Sequence, residues 1–145
     1  MTRDERGTAI VEFVWLALLL LVPLLYVVLA VFETQRASYA ASAAARSATR
    51  AFVTSPDQAT GHARAQAAAR LAFVDQGIES GTFRLTITCR PDPDRCLSPG
   101  SVVSAEVRSA ADLPLMPTAL GSDTPRIAIE ATHRSPYGTF RAARP

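Results

Sequence analysis

The feature that most constrains this chain is an uncharged, strongly apolar run of 20 residues from Phe13 to Phe32. At a rise of about 1.5 Å per residue, a helix of that length is roughly 30 Å long, the thickness of the hydrocarbon core of a bilayer. Pro23 removes one backbone hydrogen bond in the middle of the run, which membrane helices tolerate. The run therefore predicts a transmembrane helix with a modest bend near residues 19–23.

A secretory signal peptide is the main alternative reading of this run. Signal peptides have an apolar core of about 7 to 15 residues, followed closely by a cleavage site of small residues. The run here is longer, and the nearest small-residue triplets lie around Ala40 to Ala43, beyond the charged stretch ETQR at 33–36. We therefore favour a retained anchor, whereas cleavage by signal peptidase predicts a soluble product that begins between residues 40 and 49.

An alanine-rich segment, ASYAASAAARSATRAF at 37–52, follows without Gly or Pro and predicts that the membrane helix continues as a stalk to about Phe52. At 100° per residue, one face of this stalk is alanine and the opposite face is polar. A stripe of small residues lets another backbone approach closely, either the protein's own second helix or a neighbouring subunit. The alanine face comprises Ala37, Ala41, Ala44, Ala48 and Ala51, and the polar face comprises Gln35, Tyr39, Ser42, Arg46 and Arg50.

A second, amphipathic helix is predicted from SPDQ at 55–58 to about Gln76. Ser55 would be the N-cap, Pro56 the first helical residue and Gln58 the end of an S-x-x-Q capping box. Gly77 would stop the helix. The spacing predicts one inward apolar face, made of Ala63, Ala67, Leu71, Val74 and Ile78.

Three later segments alternate apolar and polar residues and predict an antiparallel sheet with one apolar face: TFRLTITC at 82–89, SVVSAEVRS at 101–109 and RIAIEATH at 126–133. This face needs a cover, which we assign to the second helix. The linker LPLMPTALGSDTP at 113–125 is expected to be irregular. The predicted fold class is α+β: a long transmembrane helix with an alanine-rich stalk, and a second helix packed on a three-stranded sheet. The predicted inward residues are Phe83, Leu85, Ile87, Cys89, Val103, Ala105, Val107, Ile127, Ile129 and Ala131.

The two cysteines, Cys89 and Cys96, bracket RPDPDR and predict a disulfide that closes a ring of 8 residues. In the chain-entropy model such a ring contributes about 2.5 kcal/mol to stability. A zinc site and free thiols are the alternatives. Tetrahedral zinc requires four ligands, and the two histidines that could complete the set with the cysteines, His62 and His133, lie far from them in the sequence. Disulfides persist in oxidising compartments, which favours an extracytoplasmic C-terminal part. Arginines flank both ends of the apolar run, so charge bias alone does not fix its orientation.

Composition and motifs argue against several classes of function. All 15 basic residues are Arg, and they are scattered over a chain of formal net charge +2, whereas nucleic-acid binding favours a basic stripe with interleaved aromatics. The chain contains no nucleophile elbow, P-loop, dinucleotide fingerprint or H-E-x-x-H motif. Asp92 and Asp94 offer too few oxygens for calcium and are expected to form a solvated turn. We expect no catalysis, no cofactor, no metal, no nucleic acid and no small-molecule substrate.

Glu12 lies at the edge of the apolar run, where burial of a charged carboxylate costs free energy. A charge at the centre of a bilayer costs roughly 2.5 to 3.5 kcal/mol, although near the interface a lone Glu can simply snorkel. The polar leader MTRDERG, which ends at Gly7, and the Glu12-Phe13 pair together resemble type IV prepilins. The resemblance implies cleavage between Gly7 and Thr8 by a membrane prepilin peptidase. It also implies that Glu12 pairs with the liberated amine of an adjacent subunit, which would offset the cost of each ion.

Residues 6–52 are similar to the TadE-like pseudopilins of the tight-adherence (Tad/Flp) pilus system in the Glu12-Phe13 pair, Pro23 and the alanine-rich continuation. Thr8 departs from the commoner residues at that position. The added C-terminal domain favours a minor pseudopilin over a main filament subunit. The implied partners are the lipid bilayer, a prepilin peptidase, other pilins or pseudopilins and the pilus assembly platform.

The resemblance also implies a division of the chain and a location. The divisions are a leader at 1–7, a transmembrane and stalk helix at 8–52 and a small extracytoplasmic α+β domain at 53–145. The protein would be a single-pass protein of the inner (cytoplasmic) membrane, with its domain outside the cytoplasm, either beside or within a cell-surface pilus. The alternative is an unprocessed anchor that presents a small extracytoplasmic binding domain.

Overall fold

The computed structural model describes residues 6–78, 83–112 and 126–145, with side chains described from Ile10 onward. Its elements are α1 (Arg6–Val53), α2 (Gln58–Asp75), β1 (Arg84–Arg90), β2 (Val102–Asp112) and β3 (Arg126–Pro136). The predicted α+β class, with a long apolar helix, a second helix and a three-stranded antiparallel sheet, is confirmed. The first five residues of the predicted leader, Thr82 and the predicted linker at 113–125 lie outside the described residues.

Helix α1 is a single helix of 48 residues that continues through Pro23 and ends one residue beyond the predicted Phe52. Its second half is buried on the predicted alanine face, where Ala41, Ala44 and Ala48 have no exposed surface. Tyr39, on the predicted polar face, is 67% exposed. Helix α2 and strands β2 and β3 cover the alanines. The close neighbour predicted for this stripe is therefore part of the same chain.

Helix α2 begins two residues later than SPDQ suggests, and its N-cap is Asp57 rather than Ser55. The Asp57 carboxylate accepts hydrogen bonds from the Thr60 amide and the Thr60 hydroxyl, both at 2.8 Å. Ser55, two residues after the end of α1, instead donates its hydroxyl back to the Ala51 carbonyl of α1 at 2.8 Å. Gln58 does not close a capping box, since its side-chain amide donates to the Asp94 carbonyl at 2.8 Å. The capping prediction was wrong by two residues.

The cap makes the stability of the α2 N-terminus dependent on pH. The hydrogen bonds from the Thr60 backbone and side chain hold the pKa of Asp57 below its ordinary value. A carboxyl group whose folded-state pKa is depressed stabilises the fold above its unfolded pKa, and this contribution is lost as the pH falls through the folded pKa. We expect Asp57→Ala to lower the midpoint of thermal unfolding at neutral pH, and this deficit to shrink below about pH 4.

Asp57→Asn is the control for that titration, because it keeps a capping oxygen without the charge. Its difference from Asp57→Ala reports the neutral part of the cap and should vary little with pH. Circular dichroism melts of the full chain in detergent would measure all three proteins. A deficit of Asp57→Ala that is unchanged from neutral to acid pH would contradict a charged cap.

The buried face of α2 differs from the predicted one. The residues that face α1 are small, or aromatic at the end, whereas Leu71 and Val74 of the predicted stripe are 60% and 52% exposed. The reason is steric: at Gly61 an added Cβ would already lie 3.0 Å from Cδ2 of Phe52 in α1. Only the smallest side chains allow this approach. Ile78 is half-buried against the core as predicted, and the buried residues of α2 are Gly61, Ala65, Ala69, Ala72 and Phe73.

The sheet has the order β1-β2-β3, and both pairs are antiparallel. Its predicted inward side is confirmed on β2, where Val103, Ala105 and Val107 are fully buried. The inward side of β1 is buried at Cys89 and half-buried before it, and that of β3 is buried at Ile129. Ile127 is the exception, at 39% exposed. It lies near the start of β3, beside the C-terminal end of the apolar run of α1.

Two helices share the cover of this sheet. Helix α2 reaches it at its C-terminal end, where the Phe73 ring stacks on Phe83 with centroids 4.8 Å apart. Helix α1 lies over β2 and β3 and supplies most of the cover, with the Thr49 hydroxyl 3.4 Å from the His133 carbonyl. The stalk can do this because its buried alanines occupy more than one stripe and leave room for an element on each side.

Cys89 and Cys96 form the predicted disulfide, with Cα atoms 5.2 Å apart and both side chains 5% exposed. Because the two cysteines are bonded to each other, they are neither zinc ligands nor free thiols. Inside the ring, the Asp92 carboxylate accepts from the Asp94 amide at 2.9 Å, which is the turn expected there. The ring contacts the N-terminus of α2 through Gln58, whose side chain donates to the Asp94 carbonyl and accepts from the Cys96 amide.

Candidate membrane and assembly surface

The first half of α1 carries the largest exposed apolar surface of the described chain. Phe13, Trp15 and Phe32 are 70%, 69% and 68% exposed, and the leucines and valines between them are exposed as well. This helix contains an apolar stretch of 18 residues, none of it buried, and is long and apolar enough to cross a membrane. Burying an apolar side chain of this size gains about 1.5–3 kcal/mol, so an apolar environment around these side chains is favourable.

Glu12 lies in this exposed segment, one residue before Phe13, and is itself exposed. Among the described side chains, none forms an ion pair with it. From Glu12 to Phe32 the helix rises roughly 30 Å, which is the thickness of the hydrocarbon core of an ordinary bilayer. A cation that neutralises Glu12 there would have to reach it from outside the described side chains.

Gly7 and Thr8, the predicted cleavage residues, lie in the first turn of α1, where the backbone is helical. The side chains described begin two residues beyond Thr8. Thr8 and Glu12 are four residues apart, which is one helical turn. The residue that would carry the new amine and the predicted acidic contact therefore lie on the same face of the helix.

The domain is fixed to α1 by arginines at both ends of α2. Arg36, just above the apolar run, donates to the carbonyls of Gln76 and Gly77 at 2.7 and 2.8 Å. Those carbonyls follow the C-terminus of α2, where Gly77 has φ +66° and its amide donates to Val74 at 2.8 Å. A cation favours the negative end of the helix dipole. Arg36 therefore holds α2 against the stalk at the foot of the domain.

The C-terminal segment performs the same task at the top of the domain. Arg141 donates to the Val53 carbonyl at 2.9 Å, and Arg144 donates to the Ser55 carbonyl at 2.7 Å, where α1 has ended. Tyr137 is 1% exposed and donates its hydroxyl to Ala142 at 2.7 Å, with the Arg141 guanidinium 4.9 Å from its ring centroid. The end of the stalk is thus capped by residues nearly ninety positions away in the sequence.

No model of a known protein family, no curated protein and no solved structure matches this chain. Within residues 6–78, 83–112 and 126–145, the structure brings together no group of three His, Cys, Asp or Glu side chains that could hold a metal ion.

A second exposed apolar surface was missed because the sequence pattern assigned it to the core. Ala63, Ala67, Leu71 and Val74 line a shallow groove of about 500 Å³ on the outer side of α2, together with Gln66 and Arg70. The arginines at the helix ends were also missed, because their carbonyl partners are distant in sequence. Of these arginines, only Arg36 could have been singled out from the sequence, because it is a cation in the first turn after an apolar run.

Proposed function

We propose that this protein is a membrane-anchored, TadE-like minor pseudopilin that a prepilin peptidase processes and that acts in the assembly of a Tad-type (Flp) pilus. The observation that carries the proposal is the division of α1 into two halves. Its first half is apolar and uncovered, with Glu12 near its start, and its second half is buried in the domain by alanines. One rigid helix thus joins a membrane-embedded assembly surface to an extracytoplasmic domain.

The uncovered half serves two environments in turn. In the membrane, lipid surrounds Phe13 to Phe32 before assembly, and during assembly neighbouring subunits replace that lipid. Because lipid tails are as apolar as these side chains, the exchange gains little from hydrophobic burial alone, and polar contacts then decide which helices associate. Glu12 supplies such a contact: its carboxylate meets the amine freed at Thr8 of a neighbour, and the pair aligns the two helices in register.

The domain remains folded on the stalk during this exchange. Arg36 at the foot and Arg141 and Arg144 at the top hold it to α1. A push or pull on the helix therefore moves the domain as one body. We propose that its partners are a prepilin peptidase, other pilins or pseudopilins and the assembly platform, and that it has neither catalytic activity nor a cofactor.

An unprocessed single-pass anchor that presents a small binding domain is the second candidate. It is favoured by the same exposed run, since lipid alone accounts for residues 13–32, and by the free groove on α2. In this candidate the leader remains attached, Glu12 lies at the interface, and the protein has no role in pili.

Removal of the gene from the native host tests the proposed function. The deletion strain should form few or no pili by negative-stain electron microscopy, and the wild-type gene in trans should restore them. A membrane extraction of the complemented strain would show the protein in the bilayer fraction under either candidate, which controls for expression. Normal piliation of the deletion strain would overturn the assembly role and leave the anchor.

A further inference from the structure

A groove lies at the foot of the domain, between α1 and the start of β3. Its volume is about 360 Å³, in the range of small-molecule sites. It is formed almost entirely by apolar surface, although it joins a helix to a strand of the folded domain. The lining residues are Tyr26, Val27, Ala30, Val31, Thr34, Gln35 and Ile127.

The polar groups of this groove are turned away from it. The Thr34 hydroxyl donates to the Ala30 carbonyl at 2.8 Å, which leaves the methyl group available to the groove. Tyr26, Ala30 and Thr34 are spaced by four residues and form one face of α1 that is half-buried. Ile127 belongs to the inward side of the sheet but remains 39% exposed. The groove is thus an apolar surface on which the Ile127 side chain is left partly exposed.

Charged pairs lie beside this groove at the foot of the domain. Arg126, which precedes Ile127, binds the Asp112 carboxylate at 2.7 Å across the β2–β3 pair. Arg36 lies 3.4 Å from Glu33, and these two residues line a neighbouring groove with Asp112. Arginines with apolar stems and charged heads are suited to the headgroup layer of a bilayer, where tyrosines are also enriched.

We propose that the foot of the sheet is embedded in the bilayer interface and that the acyl chain of a phospholipid from the adjacent leaflet fills this groove. The groove is continuous with the apolar run, since Tyr26 to Val31 belong to both, and that run is already the surface that lipid covers. Ile127 then contacts the acyl chain, and Arg126 lies at the level of the phosphates. The inference uses only the membrane span, so it is independent of the pilus role.

Tryptophan fluorescence in vesicles tests the position of Ile127. Trp15 is the single tryptophan of the chain, so Trp15→Phe gives a silent background into which Ile127→Trp is introduced. Val102→Trp is the matched control, because Val102 is also 39% exposed but lies at the opposite end of β2. The full chains are reconstituted into phosphatidylcholine vesicles with and without acyl-chain-brominated phosphatidylcholine. Wild-type Trp15 reports insertion of the helix.

We expect Ile127→Trp to emit at short wavelength and to lose most of its emission in brominated vesicles, whereas Val102→Trp emits as an exposed indole and is unaffected. Equal, weak quenching at both positions, with Trp15 quenched, would overturn the proposal. A blue-shifted but unquenched Ile127→Trp would do so too, because protein would then fill the groove. If Ile127→Trp does not fold, a nitroxide on Ile127→Cys gives the same comparison through its accessibility to oxygen and to a nickel chelate.

Discussion

Replacement of Glu12 by alanine is expected to leave the leader cleaved and the protein in the membrane, but to reduce the number of pili severely. Loss of one partner from a buried ion pair costs about 3–5 kcal/mol, because the other charge stays buried without compensation. If the amine at Thr8 of a neighbouring subunit is that charge, association at this step weakens by at least roughly a hundredfold. The exposed position of Glu12 on the single chain means that folding should be unaffected.

Two further variants separate charge from size at this position. Glu12→Gln keeps the shape and removes the charge, so it should resemble Glu12→Ala, whereas Glu12→Asp keeps the charge and should retain part of the function. Pili counted by electron microscopy and leader cleavage followed by mass spectrometry would be recorded for each strain. Wild-type numbers of pili with Glu12→Ala would show that the carboxylate is only an interfacial group.

The second large effect is expected at the contact between the two helices. Ala69→Leu places three more carbon atoms on the buried face of α2, where Ala69 has no exposed surface. Overpacking of a close-packed interior costs about 1–3 kcal/mol, and more where two backbones cannot separate. Here Arg36 holds one end of α2 and the Phe52 ring packs on the other. The domain should lose stability strongly or fail to fold.

Ala67→Leu is the matched control, because it makes the same substitution two residues away on the exposed groove of α2. Surface substitutions of this kind usually change stability by less than about 0.5 kcal/mol. Unfolding of the full chain in detergent, followed by circular dichroism, would compare the two variants. Equal melting temperatures would show that the helix contact is looser than described.

The long apolar helix and the strands could be predicted because each has a strong local signal. Twenty uncharged residues permit few structures other than a span, and strict alternation identified the buried residues Val103, Ala105 and Val107. The fold class follows from these elements. The disulfide was predictable because the chain has only two cysteines.

The buried face of α2 could not be read in the same way. Alanines occur on every side of this helix, so the spacing of Leu71 and Val74 set the predicted direction and left out the larger Phe73, which is buried. A stalk of alanines instead selects the smallest residues of its partner, and Gly61, Ala65 and Ala69 recur at every fourth position. That spacing was the available signal. It outweighs side-chain size because close approach of the backbones determines the contact.

The N-cap depends on the residue at which α1 ends, and the arginine contacts join residues that are distant in the sequence. Asp57 displaced Ser55 as the cap because α1 continued one residue further and retained the Ser55 hydroxyl. Arg141 and Arg144 reach carbonyls 88 and 89 positions away. Only the folded sheet brings these residues together.

The N-terminus of the protein in the membranes of its own host is the most direct test of the central claim. Mass spectrometry of the purified chain should find Thr8 as its first residue, and a Gly7→Leu variant should retain the leader. An amine at Thr8 is then available to a neighbour's Glu12. A working protein that still begins at Met1 would contradict the account, because the proposed ion pair would have no cation.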